Sequence, residues 1–126
     1  MKLNIECVRD VLLEFESFPM GIYVVTSFEN SLSKYGKEDV IYSLFKLTEA
    51  KYITADAAMT QDGIPHIGSV MDITFQGHEF LANIKPRNNW DKLSGAFKQI
   101  GSATFQVVSN VAVELATNAM LSIMKH

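Results

Sequence analysis

The chain has 126 residues, a formal net charge of -3 and a single cysteine. That length suits one domain with a core that needs no covalent staple, and a lone Cys7 cannot close an intrachain disulfide, which fits a reducing, cytoplasmic setting. With 48% hydrophobic and 20% charged residues the composition is that of a folded chain, and its negative balance leaves nucleic-acid binding to a local basic patch.

Asn4 is placed to cap a first helix from Ile5 to about Phe15, with Ile5, Val8, Leu12 and Phe15 on one face. Arg9, Asp10, Glu14 and Glu16 take the other face, and the pair Glu14 and Glu16 reads as a solvated helix surface. Acidic residues inside this apolar run make it a poor signal peptide, and no apolar segment is long enough to span a bilayer, so no membrane partner is expected. Pro19 ends the helix. Ile22–Thr26 is β-branched and predicts a short strand. Thr26 or Ser27 then caps a short helix, Phe28–Tyr35, which stops at Gly36.

The central helix begins near Lys37, with Glu38 and Asp39 in the first turn where the helix dipole favours acids. Val40, Ile41, Leu44, Phe45 and Leu47 form its apolar stripe. Ser43, Lys46 and Glu49 form its polar face. Residues 50–54 lead into a first ribbon strand, and Val70–Ile73 alternates as the returning strand. The stretch between, Ala57–Gly68, is the least regular, with a turn at Gly63-Ile64-Pro65. Thr74 caps a helix from Phe75 to Ile84, with Phe80, Leu81 and Ile84 facing inward. Pro86 ends it or opens the next. Asn88 or Asn89 caps a helix from Trp90 to Ile100, and Ser102 caps a last one from Ala103 to about Met124.

These periodicities predict an α+β fold: a winged-helix-like part over 1–84, made of helices and a small antiparallel β-ribbon, and two additional C-terminal helices over 85–126, together one domain. Four stretches carry a resemblance: residues 1–13 (MKLNIECVRDVLL), Glu38–Leu44 with Leu47–Ala50, residues 73–84 (ITFQGHEFLANI) and Asn89–Leu93. In that order and spacing they are similar to the DUF2513 family of small bacterial and prophage-borne proteins. Gly21–Gly36 and Ala55–Gly68 depart from the pattern. The resemblance implies a phage or prophage context and supplies no catalytic residues.

No metal spacing is present: twelve positions separate His66 from His78, and neither HExxH nor a Cys/His zinc pattern occurs. Cys7 has no base nearby and reads as a buried side chain. Gly63, Gly68 and Gly77 follow no phosphate-binding spacing. No cofactor is expected, and the chain reads as a non-enzyme, a small enzyme built on the Ala57–Gly68 loop being the weakest alternative.

Two binding readings remain. The first is a regulatory module that docks the central helix on duplex DNA, with Lys34, Lys37, Lys46 and Lys51 as contacts. Against it, residues 52–84 hold no lysine or arginine but do hold Asp56, Asp62, Asp72 and Glu79. The second is a protein-interaction module that acts on a host or defence protein through an acidic wing, with Asp56 and Asp62 at the surface. The last helix carries an apolar stripe interspersed with small residues. It packs on the first helix or forms a homodimer interface through Val108, Val111, Ala112, Leu115 and Ala119.

Overall fold

A computed structural model describes residues 1–100, with side chains to residue 95. The expected last helix and the dimer residues Val108, Val111, Ala112, Leu115 and Ala119 lie outside the described residues. Within them the chain is a mixed α+β fold in the order α1 (Ile5–Glu16), a 3-10 turn (Val25–Ser27), α2 (Glu29–Tyr35), α3 (Lys37–Glu49), β1 (Ile53–Met59), β2 (Pro65–Ile73), α4 (Phe75–Ile84) and α5 (Arg87–Ile100).

Helix α1 starts as its sequence predicts: the Asn4 side chain accepts a hydrogen bond from the Cys7 amide at 3.2 Å. Its apolar stripe meets α3, and the shared core runs through Val8, Leu12, Val40, Leu44 and Leu47 to the ribbon base at Ile53, Val70 and Ile73. Each such side chain contributes roughly 1.5–3 kcal/mol by leaving water. Phe80, Leu81 and Ile84 close the core from α4, as expected, and Trp90 and Leu93 from α5.

The polar face of α1 is where tertiary contacts gather. Arg9 is only 8% exposed. Its guanidinium donates to the carbonyls of Ile84 (3.1 Å) and Lys85 (2.8 Å), groups that the end of α4 leaves without intrahelical partners. It also lies 5.4 Å from the ring centroid of Trp90. Glu6 accepts from the Trp90 indole (3.1 Å) and the Ser94 hydroxyl (3.0 Å), which fastens α5 to α1. Glu14 reaches across to α2 and accepts from the Asn30 and Ser31 amides at 3.0 and 2.9 Å. That explains why α2 begins with Phe28 as an uncapped boundary residue instead of a Thr26 or Ser27 cap: the cap comes from another helix. Glu16 binds Lys85 at 2.7 Å.

Three further expectations are corrected. The strand over Ile22–Thr26 shrinks to one bridge, in which Tyr23 and Val70 exchange backbone hydrogen bonds of 2.9 and 2.8 Å. Directly after it the Ser27 hydroxyl takes the Val24 amide and turns the chain. The irregular stretch Ala57–Gly68 is mostly strand. Its pattern is obscured by two register shifts and by small residues of weak β preference. A tight turn joins the strands: the Gly63 amide bonds to the Thr60 carbonyl, Gly63 adopts φ +78°, and Asp62 accepts from the Ile64 amide and the Thr60 hydroxyl. Helix α5 begins at Arg87, not at Trp90, with the Trp90 amide bonded to the Pro86 carbonyl, so neither Asn88 nor Asn89 is its cap.

The ribbon is fixed to the helices at one corner. Helix α3 ends in a Schellman turn: the Tyr52 amide bonds to Leu47 and the Lys51 amide to Thr48, with Lys51 at φ +65°. The carbonyls just beyond face Thr74, whose hydroxyl donates to Lys51 (2.6 Å) and whose amide donates to Tyr52 (2.9 Å). The same hydroxyl oxygen caps α4 by accepting from the Gly77 amide at 3.0 Å. Gly77 therefore sits against the α3–β1 corner, where a Cβ would lie 1.9 Å from the Tyr52 carbonyl oxygen.

Helix propensity alone favours alanine over glycine by about 1 kcal/mol. Gly77→Ala is nevertheless expected to lose about 2 kcal/mol or more in urea unfolding, because the corner must open to admit a methyl group. An unchanged or raised midpoint would contradict this close approach.

Candidate interaction surface

The four lysines expected to meet nucleic acid do not form one patch. Lys34 is bound to Asp10 of α1 at 3.0 Å. Lys46 is bound to Glu49 at 3.0 Å and lies over the rings of Tyr42 and Phe45, at 5.4 and 5.9 Å from their centroids. Lys37 and Lys51 are exposed but stand at opposite ends of α3, roughly 20 Å apart for a helix of that length. Ser43, expected on the polar face of α3, is 1% exposed. It hydrogen-bonds Cys7, and burial pushes that thiol up to about 11, far from a reactive thiolate.

The Lys34 contact belongs to a small network. Asp10 also accepts from the Tyr35 hydroxyl. Burial alone would raise the Asp10 carboxyl, but the hydrogen bonds from Tyr35 and Lys34, with the charges of Lys34 and Arg9, outweigh it and hold its pKa below the ordinary value. Tyr35 moves the other way, raised first by burial and then by the carboxylate it donates to.

The ribbon offers a different surface. Strand side chains alternate, so Thr54 and Asp56 share the outward face of β1, and Asp72 stands opposite Thr54 on β2. Asp56, Asp62 and Asp72 are all exposed, and none of them forms a salt bridge among the described residues. The hydrogen bond from Thr60 lowers the pKa of Asp62. Met59 and Ile64, each 53% exposed, flank the ribbon tip.

At the ribbon base the same face runs into a cleft of about 350 Å³ between the end of α1, the loop after it, the end of β2 and α4. Phe15, Phe18, Tyr23 and Ile73 supply apolar walls, and Glu16, Asp72 and His78 stand among the lining residues. Sequence periodicity gave no sign of this cleft, because its walls come from four separate elements. The visible hint was Ser17-Phe18-Pro19-Met20, a loop unusually rich in large apolar residues. His66 lies on β2 and His78 on α4. Among the described residues no group of three His, Cys, Asp or Glu side chains is arranged to hold a metal ion, and no helix is long and apolar enough to cross a membrane.

What these elements define is a small α+β chain with an acidic ribbon and an adjoining apolar cleft. It belongs to the DUF2513 family, whose model, described as a hypothetical protein, matches residues 2–103. No curated protein and no solved structure matches the chain.

The Asp10 network has a pH signature. Because the carboxyl is lowered in the folded chain, its stabilisation is fully present above the unfolded value near 3.8 and fades as pH falls through the lower folded value. Asp10→Asn should therefore lower the urea midpoint at pH 7, and the gap from the parent chain should narrow at pH 3. A gap independent of pH would contradict the pairing.

Proposed function

We propose that this chain is a non-catalytic binding module of winged-helix type that engages a partner protein through the acidic outward face of its ribbon. The order α1, Tyr23 bridge, α2, α3, β1, β2 supports the winged-helix reading, with the single bridge in place of a third strand. A fold of this kind does not fix a function, which has to come from the surface.

One observation carries the choice of partner. Lys34 and Lys46 are drawn into contacts with Asp10 and Glu49, while Asp56, Asp62 and Asp72 remain in water without a salt bridge among the described residues. A helix that docks in the major groove needs free cationic or amide groups, and a wing that grips phosphates needs positive charge. An acidic ribbon steers a positively charged protein surface toward itself and repels nucleic acid. Duplex DNA is the competing partner, and the exposed Lys37 and Lys51 are what favour it.

Two measurements separate these readings. The full chain should pass over immobilised duplex DNA at about 50 mM salt without retention, where a phosphate-binding protein would be held strongly. Retention that is lost on Lys46→Glu would overturn the proposal in favour of DNA. A protein partner captured in stoichiometric amount should be lost from a chain carrying Asp56→Lys and Asp62→Asn. Asparagine at 62 keeps the acceptor that the turn requires, so a folded variant is expected. Undiminished capture by this variant would also overturn the proposal.

A further inference from the structure

We infer that the cleft at the ribbon base receives a bulky apolar side chain from a basic segment of the partner, an inference that rests on the protein-binding reading above. The cleft is ready-made. Phe18 packs on Tyr23 with ring centroids 4.6 Å apart and on Phe15 at 6.0 Å, and the Tyr23 hydroxyl donates to the Pro19 carbonyl, tying down the loop that forms one wall. A volume of about 350 Å³ is at the small end of ligand pockets, roughly 300–1,000 Å³. It suits a side chain better than a cofactor.

The surroundings define the guest. Met20 lines the cleft and is fully exposed. Ile22, two residues further along the same loop, is 73% exposed, and Phe75, one helical turn before His78 on the same face of α4, is 77% exposed. Exposed Met20 on the cleft, with exposed Ile22 between the lining residues Gly21 and Tyr23 and exposed Phe75 one turn from His78, is the mark of a contact surface, since single exposed residues are normally scattered. The charge at the cleft is acidic. Glu16 is already bound by Lys85, so Asp72 is the lining carboxylate without a salt bridge among the described residues, and it continues the acidic face of the ribbon. An anionic guest is repelled there, as is the anionic surface of a membrane. A segment with an aromatic or aliphatic anchor followed by lysine or arginine fills the apolar walls and places its cation beside Asp72.

The test is a titration of the full-length chain, isotope-labelled for amide NMR, with three short capped peptides: Leu-Phe-Arg-Lys, its acidic counterpart Leu-Phe-Glu-Glu, and Leu-Ala-Arg-Lys. The first should shift the amides of Phe18, Gly21, Tyr23, Met71 and His78, and the other two should bind at least about fivefold more weakly. Asp72→Asn, which keeps the oxygen accepting from the Ile73 amide at 2.9 Å, should remove most of the preference for the basic peptide over the acidic one. Equal binding of all three peptides, shifts elsewhere, or no shifts would overturn the inference. So would concentration-dependent shifts of the same amides without peptide, which would place a second copy in the cleft. A chain that ignores the peptides yet still loses its partner on Asp56→Lys with Asp62→Asn sinks this inference and leaves the proposed function standing.

Discussion

The guanidinium of Arg9, buried between α1 and the end of α4, holds the C-terminal helices in place. Two backbone carbonyls at a helix terminus need donors. Arg9 supplies both, presenting its face to Trp90 as it does so. This contact anchors the C-terminal end of α4, while the buried side chains of Phe80, Leu81 and Ile84 and the corner at Thr74 hold the rest of the helix. At that corner Gly77 meets the Tyr52 carbonyl, and Thr74 caps α4 while binding Lys51 and Tyr52. His78, which lines the cleft, sits one position beyond Gly77 on the same helix.

The same economy of charge shapes the surface. Helix α1 directs Glu6, Arg9, Asp10, Glu14 and Glu16 at its neighbours, where each satisfies a backbone group, a side chain or a lysine. Lys34 and Lys85 are drawn into those contacts, and Lys46 is taken by its own helix. With those lysines engaged and no lysine or arginine in residues 52–84, the ribbon keeps its acidic charge exposed. Asp56 and Asp72 thus stand on the exposed ribbon beside an apolar cleft, and the protein-binding reading rests on them.

Much of the fold was legible in the sequence because it rests on local rules. Asn4 and Thr74 cap helices where their spacing says they should, and the stripes of α1, α3 and α4 face the core. Gly36 marks the boundary between α2 and α3. What was not legible depends on partners distant in sequence. Period-3.6 reasoning assigns Arg9, Glu14 and Ser43 to the polar faces of their helices because it sees one helix at a time, while their partners lie on α4, α2 and α1. The ribbon strands extend further than their sequence pattern indicates because Ala57, Ala58 and Gly68 are weak strand formers and the register shifts break the alternation. Gly77 carries a signal of its own: a glycine in the first turn of a well-capped helix is costly unless something presses against it. The site divides in the same way. The acidic run of the ribbon could be read directly. The pairing of Lys34 and Lys46 and the existence of the cleft required the tertiary fold.

The most direct measurement is urea unfolding of Arg9→Met, followed both by fluorescence of Trp90, the one tryptophan in the chain, and by far-ultraviolet circular dichroism. The methionine preserves bulk and apolar contact but leaves the Ile84 and Lys85 carbonyls without donors. A loss of about 2–4 kcal/mol is expected, with the Trp90 signal moving at least as far as the helical signal. Unchanged midpoints by both probes, with Trp90 emission as in the parent chain, would show that the buried guanidinium does not hold the two parts of the molecule together.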